Sequence, residues 1–447
     1  MINEQLSCKK LDISLNSTQL FAQFAQHPWA ILLDSANPDD KQQQFDIIAI
    51  APIATIEAEN NQCKLNGQSC TDSPFVVLAE QLTQFATCKA PHSLPFSGGL
   101  LGYFSYDLGR YLEKLPSIAH KEINLPDMAV GLYPDALIYS YQQRAWFYIA
   151  QPGYDRLALY LNDNNANCVA PPFSLTCDWQ SNLDKTSYGE KFQQVQAYLR
   201  SGDCYQINLA QRFKAAYTGH PWHAYLALRE ANQAPFSSFI NHPKGFIASI
   251  SPERFIKVDN GHVQTKPIKG TLPRSEDPQE DAARAKQLSL SPKDRAENVM
   301  IVDLLRNDLG KVAAAGSVEV PHLFSIESYP AVHHLVSTVT ARLAEGKTAL
   351  DQLEAAFPGG SITGAPKIRA MEIIEELEPD QRSVYCGSIG YISACGNMDT
   401  SITIRTLVFN QQHVYCWAGG GIVADSNVDA EYQETFDKVN KILPLLG

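Results

Sequence analysis

Strand-like and helix-like segments mix along this chain without the regular βαβ alternation that a parallel sheet requires. Short strand-like runs, such as Asp46 to Ile53 and Trp146 to Ala150, are separated by turns. Later, Cys204 to Phe213 and Thr400 to Phe409 alternate polar and apolar residues, as half-buried strands do. The pattern therefore predicts an α+β fold built on antiparallel sheets.

Composition and charge exclude several classes of protein. The 447 residues are 45% apolar and 19% charged, which is typical of a globular protein with a substantial core. A net charge of -12 argues against general binding to nucleic acids or membranes, because both are polyanionic. The ten cysteines show no zinc spacing, and the first residues form no apolar signal-peptide core. We therefore expect a cytoplasmic protein with reduced thiols and no membrane segment.

The clearest change of texture is the polar stretch from Asn162 to Thr186, which contains Pro171-Pro172. Such a stretch is typical of a long surface connection. It predicts a β-rich N-terminal region over residues 1–180 and a second region over residues 181–447, intertwined as one structural unit.

Two helix starts can be predicted from capping signals. Ser187-x-x-Glu190 is a capping box, and Gly202 is a typical helix end. Ser291-Pro292 opens another helix, on which Glu297 shares the apolar stripe of Ile301. A carboxylate on such a stripe is costly unless it is paired, hydrogen-bonded or bound to a metal. A nearby arginine would satisfy it as well as a metal would.

Other candidate residues allow an ordinary structural explanation. Glu434 and Lys438 have the spacing of a surface ion pair on a helix. Gly419-Gly420-Gly421 could present backbone N–H groups to an anion or form a hairpin turn. Arg405, on the polar face of the predicted strand, could grip a carboxylate or make a salt bridge. His334 could be a satisfied core histidine.

Lys269, in Pro267-Ile268-Lys269-Gly270-Thr271, is either a solvated surface residue or a nucleophile. The segments around it favour the nucleophile, because they resemble the motifs of the chorismate-utilising enzymes and occur in the same order. The matching stretches are Gly202 to Leu209, Ser251 to Phe255, Pro267 to Arg274, Lys293 to Asn298, His333 to Ser337, Gly359 to Met371, Gly387 to Leu407, Ala418 to Val423 and Glu431 to Lys438. The resemblance implies a large α/β sandwich of two face-to-face antiparallel sheets flanked by helices.

The resemblance also implies roles for individual residues. Glu297 and Glu434 would bind Mg2+, Glu253 would be a general acid, and His334 would lie close to the reacting ring. The substrate chorismate would be bound by Thr271, Tyr385, Arg405, Gly419, Gly420, Gly421 and Lys438.

Two positions discriminate within the family. Members that add water to chorismate have a lysine base where this chain has Gln206, and anthranilate synthases have alanine where it has Lys269. The resemblance therefore implies amination by ammonia at C4 through a covalent Lys269 adduct. The product would be 4-amino-4-deoxychorismate, with its enolpyruvyl group retained, in the para-aminobenzoate branch of folate biosynthesis. Component I of an anthranilate synthase and a non-catalytic regulatory subunit with the same fold are the alternatives.

Ammonia in this family normally comes from a partner, and the chain has no Gly-x-Cys-x-Gly nucleophile motif of its own. We therefore expect a separate glutamine amidotransferase subunit. Leu32-Leu33-Asp34-Ser35 resembles the Leu-Leu-Glu-Ser of the anthranilate synthase tryptophan site. It makes Ser35 a candidate for a tryptophan pocket, although a plain strand end explains the run better, because Asp34 stands where those enzymes have Glu.

Overall fold

A computed structural model describes residues 5–36, 44–161, 171–329 and 332–447. The strands within these ranges are β1 (Ser7–Leu11), β2 (Ile31–Asp34), β3 (Phe45–Ala49), β4 (Ala54–Glu59), β5 (Gln62–Leu65), β6 (Gln68–Cys70), β7 (Gly99–Phe104), β8 (Met128–Tyr133), β9 (Asp135–Ser140), β10 (Ala145–Ala150), β11 (Ser174–Leu175), β12 (Gln180–Ser181), β13 (Gln206–Thr218), β14 (Phe236–His242), β15 (Gly245–Ser251), β16 (Arg254–Asp259), β17 (His262–Thr265), β18 (Ile268–Pro273), β19 (Glu319–Ser328), β20 (Val332–Arg342), β21 (Gly364–Ala365), β22 (Ser388–Ser393), β23 (Met398–Ile402), β24 (Thr406–Phe409) and β25 (His413–Ile422).

The helices in the same ranges are α1 (Ser17–Phe21), α2 (Pro74–Leu82), α3 (Ala158–Leu161), α4 (Lys185–Ser201), α5 (Pro221–Asn232), α6 (Pro278–Leu290), α7 (Pro292–Gly310), α8 (Ala349–Ala356), α9 (Lys367–Leu377), α10 (Val428–Asp437) and α11 (Leu443–Leu446). In this part of the chain, none is both long enough and apolar enough to cross a membrane.

The strands of the described residues form two large antiparallel sheets. The first has the order β1-β10-β9-β3-β2-β14-β15-β24-β25-β13-β11, with β12 and β21 also paired to β13. The second has the order β18-β20-β17-β16-β23-β22-β7-β8-β4-β5-β6, with β19 also paired to β20. Each sheet takes strands from both sides of residue 181, and the division into 1–180 and 181–447 stays a prediction. The α+β fold with antiparallel sheets is confirmed.

Two hydrophobic cores explain why several strands are apolar on both faces. Ile47 and Ile48 are adjacent on β3, and their side chains point to opposite faces of the first sheet. Ile47 belongs to the core that also holds Ile256 of the second sheet, so the sheets pack face to face. Ile48 belongs to a second core, beneath α1 and α5, where Phe21 and Trp222 are buried.

The capping signals gave one correct helix start and one wrong one. Ser291 caps α7 as predicted, because its side chain accepts a hydrogen bond from the backbone N–H of Asp294. Helix α4 starts before Ser187, because Asp184 is its N-cap and accepts from the Ser187 N–H at 2.7 Å. Gly202 ends α4 in the left-handed conformation, as expected. Of the predicted surface connection, residues 162–170 lie outside the described residues.

Candidate active site

Lys269 lies on β18 at an irregularity in its pairing with β20. The register shifts between Lys269, which faces Leu335, and Thr271, which faces His334. Gly270, at the shift, has a φ of 76° and no room for a side chain, since a Cβ would lie 2.9 Å from Asp294 Cγ. Glycine is therefore required for the bulge, and bulges re-aim neighbouring side chains.

The Lys269 side chain is mostly enclosed and held at its tip by two oxygen atoms. Its Nζ donates a hydrogen bond to the backbone carbonyl of Ser361 at 3.2 Å. It also forms an ion pair with Glu297 Oε1 at 3.0 Å, and 12% of the lysine side chain is exposed. These contacts exclude the solvated surface lysine that the sequence alone allowed.

Glu253 lies between β15 and β16 and is buried, with 7% of its surface exposed. Within the described residues, its carboxylate has one hydrogen-bond partner, the Ser361 hydroxyl, which donates to Oε1 at 3.0 Å. Burial raises the pKa of Glu253 to about 7, although the Lys269 charge and the Ser361 hydrogen bond act in the opposite direction. Such a carboxyl group can hold a proton near neutral pH and give it to a substrate.

Glu297, on α7, faces the glycines of β25. Gln206 Nε2 donates to Glu297 Oε1 at 3.0 Å, on the same oxygen that pairs with Lys269. Burial alone would raise the pKa of Glu297, but Lys269 and these hydrogen bonds hold it below its ordinary value. A Cβ at Gly421 would lie 2.9 Å from Glu297 Oε1, so glycine permits this close approach of the carboxylate.

Two further carboxylates on α10 face the same glycine strand. A Cβ at Gly420 would lie 3.0 Å from Glu431 Oε2 and 3.3 Å from Glu434 Oε1. Glu431 is buried, and burial followed by the nearby Glu434 charge raises its pKa. Lys438 Nζ pairs with Glu434 Oε1 at 2.7 Å and also donates to the carbonyl of Gly419 at 2.7 Å. The predicted pair of Glu434 and Lys438 therefore exists, but it lies against the glycine strand.

His334, on β20, is buried and hydrogen-bonded to Thr271, with 2.8 Å between His334 Nδ1 and Thr271 Oγ1. Burial, followed by the nearby Arg405 charge, lowers the pKa of His334 to about 4. The imidazole is therefore neutral at physiological pH.

Arg405 corrects a prediction made from the sequence. Thr400 to Phe409 is not one strand, because it divides into β23 and β24, which belong to different sheets. Arg405 lies in the crossing between the sheets with a φ of 50°, a conformation that costs energy for a residue other than glycine. Its guanidinium forms no hydrogen bond or ion pair within the described part of the chain. Burial lowers its pKa.

The structure excludes one of the two alternatives for the three glycines at 419–421, the hairpin turn. They lie inside the continuous strand β25, which pairs with β13, so they do not form a hairpin turn. Nearby, Tyr385 is buried and stacks on Trp417, which lies on β25, with 5.9 Å between ring centroids and 4° between the ring planes.

A cavity of about 550 Å³, here called the Lys269 cavity, joins most of these groups. The predicted site residues that border it are Glu253, Lys269, Thr271, Glu297, His334, Tyr385, Arg405, Gly419, Gly421, Glu434 and Lys438. Gln206 and Gly420 do not border the cavity. Gln206 donates a hydrogen bond to Glu297, and Gly420 lies close to the carboxylates of Glu431 and Glu434. The cavity wall also includes residues to which the sequence gave no role, among them Asn208, Lys293, Asp294, Ser361, Trp417 and Glu431. The sequence could have predicted Glu431 as a site residue, because it lies three residues before Glu434 and therefore on the same face of the helix.

Ser35 lies elsewhere, at the end of β2. It is fully buried, and its N–H donates to Asp46 Oδ1 at 2.8 Å. Its neighbours Leu33 and Asp34 border a second cavity of about 500 Å³, here called the Asp34 cavity. Tryptophan binding in this region stays a prediction, which calorimetry with tryptophan would test.

Comparison with known proteins agrees with the fold and with the motifs. The profile described as chorismate binding enzyme matches residues 30–444. The chain is 55% identical over 432 residues to the aminodeoxychorismate synthase component 1 of Escherichia coli K12, covering 95% of each protein. It is 36% identical over 427 residues to the anthranilate synthase component 1 of Thermus thermophilus, covering 93% of this chain and 92% of that protein.

Among solved structures, anthranilate synthase component I from Streptococcus pneumoniae superposes with a TM-score of 0.79 at 33% identity, covering 91% of this chain and 93% of that one. The chain belongs to the family of chorismate binding enzymes.

Proposed function

We propose that this chain aminates chorismate with ammonia at C4 and releases 4-amino-4-deoxychorismate with the enolpyruvyl group intact. The observation that carries the proposal is the presence of Lys269 in the same cavity as Glu253 and Arg405. A primary amine, a carboxyl group with a raised pKa and an arginine without a carboxylate partner are the groups that this reaction requires. The high identity to a protein named aminodeoxychorismate synthase component 1 supports the same conclusion.

Substrate binding follows from charges that the protein itself does not neutralise. Chorismate is a dicarboxylate, and Arg405 is the cavity cation that lacks a carboxylate partner among the described residues. A bidentate Arg405–carboxylate pair would offset the cost of burying the guanidinium. Lys438 and Gly419 also border the cavity, where they can bind the second carboxylate of the substrate.

The chemistry begins with Lys269 as nucleophile and Glu253 as acid. The Lys269 amine attacks C2 of the ring, both ring double bonds shift, and the bond from C4 to the hydroxyl group breaks. Glu253 gives its proton to this leaving group, which departs as water, and Glu253 regains a proton from the lysine nitrogen that has bonded to C2. Ammonia then adds at C4, both double bonds shift back, and the bond from C2 to Lys269 breaks, with one proton of the added ammonia passing to the released amine. Pyruvate is not eliminated in any step.

His334 and Gln206 serve as uncharged neighbours in this scheme. A neutral His334 close to the ring can accept or donate a hydrogen bond without adding a charge beside Arg405. Gln206 cannot deprotonate water, because its amide has no basic nitrogen, so the addition of water to chorismate is disfavoured. Its hydrogen bond to Glu297 fixes the orientation of that carboxylate.

The donor set along β25 suits Mg2+. Glu297, Glu431 and Glu434 supply carboxylate oxygens, and Gly420 and Gly421 leave the space that a Cβ would fill. Oxygen ligands together with retained waters are what Mg2+ prefers. We propose Glu297 and Glu434 as direct ligands, with Glu431 beside them. When bound, Mg2+ would neutralise charge on the substrate carboxylate and on the ring during loss of the hydroxyl group.

The partner follows from the source of ammonia. The relatives carry the name component 1, which implies a second component. We propose that this second component is a glutamine amidotransferase. The pure chain should then use ammonium salts alone and glutamine only after the partner is added. Glutamine-dependent turnover by the pure chain would contradict this part of the proposal.

Product analysis tests the proposed reaction. The pure chain is incubated with chorismate, Mg2+ and an ammonium salt, and the products are separated and identified by mass spectrometry. An aminated product that retains the enolpyruvyl group, and that added lyase converts to para-aminobenzoate, supports the proposal. Fluorescent anthranilate with released pyruvate would assign the chain to the tryptophan branch instead. Absence of turnover would favour a non-catalytic subunit.

A further inference from the structure

Ser361 touches both the acid and the nucleophile of the proposed reaction. Its hydroxyl donates to Glu253 Oε1 at 3.0 Å, and its backbone carbonyl accepts from Lys269 Nζ at 3.2 Å. The residue lies in the short 3-10 turn Gly360–Ile362, which precedes β21 and α9. Its side chain is not fully buried and borders the Lys269 cavity.

The turn around Ser361 is held in place on both sides. The Thr363 hydroxyl donates to the carbonyl of Gly359 at 3.1 Å. The buried Arg382 donates to the carbonyl of Ile362 at 3.0 Å. A Cβ at Gly360 would lie 2.4 Å from Leu304 Cδ2, so the turn packs directly against α7. A turn fixed in this way can hold its hydroxyl and carbonyl in constant positions.

We propose that Ser361 is a positioning residue, whose hydroxyl determines which oxygen of Glu253 carries the acidic proton and whose carbonyl fixes the position of Lys269 Nζ. This inference rests on the proposed function, because it gives the acid and nucleophile roles to Glu253 and Lys269.

The argument for Glu253 follows from the two kinds of oxygen in a protonated carboxyl group. One oxygen carries the proton, and the other is a carbonyl-type oxygen that accepts hydrogen bonds. Because the Ser361 hydroxyl donates to Oε1, the acidic proton belongs on Oε2. Without the hydroxyl, the proton could reside on either oxygen, and part of the protein would present it in the wrong direction.

The argument for Lys269 follows from the two oxygen atoms that hold its side-chain nitrogen. The carbonyl of Ser361 at 3.2 Å and Glu297 Oε1 at 3.0 Å accept from the nitrogen in two directions. These two contacts fix the nitrogen in a side chain that borders the cavity where the ring must bind.

The test compares variants that remove or retain the hydroxyl group. Ser361→Ala and Ser361→Gly remove it, whereas Ser361→Thr keeps it. Ser388→Ala is the matched control, because Ser388 is a buried serine on β22 whose hydroxyl has no partner among the described residues. The carboxyl band of Glu253 is isolated by infrared difference against Glu253→Gln on each background and titrated. Turnover with chorismate and ammonium is measured on the same preparations.

Loss of the hydroxyl should raise the titration midpoint of Glu253 by roughly one pH unit, because a donor that stabilises the carboxylate is gone. The kcat should fall at least about tenfold with little change in KM. Ser361→Thr and Ser388→Ala should resemble the wild type in both measurements.

An unchanged midpoint in both Ser361→Ala and Ser361→Gly would overturn the inference. So would a threonine variant as impaired as alanine, or a loss confined to KM. The infrared titration needs no turnover, so it decides the role of Ser361 even if the wild type forms no aminated product, a result that would defeat only the proposed function.

Discussion

The Lys269 cavity and the Asp34 cavity have similar volumes, about 550 Å³ and about 500 Å³, but their charges are arranged differently. In the Asp34 cavity the two buried carboxylates, Asp34 and Asp399, are paired within the protein. Asp34 binds the Arg229 guanidinium through both carboxylate oxygens, and Asp399 pairs with Arg254 at 2.9 Å. In the Lys269 cavity, Arg405 has no such partner among the described residues, and the buried Glu253 is hydrogen-bonded to a serine.

The similar sizes of the two cavities do not indicate which one is an active site. The difference in charge pairing does, and it favours the Lys269 cavity. A buried charge without a partner lowers stability, so it persists where a ligand supplies the partner. A paired charge needs no ligand and contributes to the fold.

Lys269→Ala should have the largest effect. It removes the proposed nucleophile, so turnover with ammonium should fall by at least about 10³-fold, toward the low end of what such losses cost other enzymes. Direct attack by ammonia can supply a residual rate. Steady-state kinetics with chorismate provide the measurement, and a rate within about tenfold of the wild type would show that the lysine is not the nucleophile.

Glu253→Gln should stabilise the folded protein at high pH. The pKa of Glu253 is raised from its ordinary value of 4.5 to about 7, so the folded protein keeps a proton that the unfolded chain has lost. The resulting penalty is absent below about pH 4.5, grows as pH rises, and is complete above about pH 7, where it reaches roughly 3 kcal/mol. Urea unfolding of both proteins from about pH 5 to about pH 8 measures the difference. A difference that does not change with pH would mean that Glu253 is not strained by burial.

Asp34→Asn should have the opposite effect, although it also changes a buried carboxylate to an amide. It leaves Arg229 without its ionic partner, so the free energy of unfolding should fall by about 3 kcal/mol. Turnover should be unchanged at temperatures where the variant is folded. Loss of turnover in a folded variant would show that the two cavities are coupled.

Arg405→Lys should have the smallest effect of the four. Lysine keeps the positive charge but lacks the planar fork that binds both oxygens of a carboxylate. The KM for chorismate should therefore rise about tenfold, whereas the unfolding free energy should change little. An unchanged KM would mean that Arg405 does not bind a substrate carboxylate.

Some of the site could be read from the sequence because the signal is local. The N-cap at Ser291 places Glu297 on the buried stripe of α7, and helical spacing places Glu434 and Lys438 together on α10. The predicted antiparallel α+β fold followed from strand alternation in the same way. These predictions needed no knowledge of distant contacts.

Other features depend on contacts between distant segments. The alternation of polar and apolar residues over Thr400 to Phe409 fits one long strand and also fits two short strands in different sheets. The sequence therefore could not predict the left-handed conformation of Arg405 between them. Ser361 and Glu253 are 108 residues apart, and their hydrogen bond follows from the packing of the turn against α7. The sequence of the glycines of β25 is compatible with a hairpin or a strand. Only their pairing with β13, a distant segment, shows that they form a strand.

Trapping the covalent intermediate tests the central claim most directly. The pure chain is mixed with chorismate and Mg2+ without ammonia, quenched in acid, and digested for peptide mass mapping. We expect the peptide containing Lys269 to gain the mass of chorismate minus water, and this species to be absent from Lys269→Ala. An aminated product formed at full rate without any such adduct on Lys269 would contradict the account.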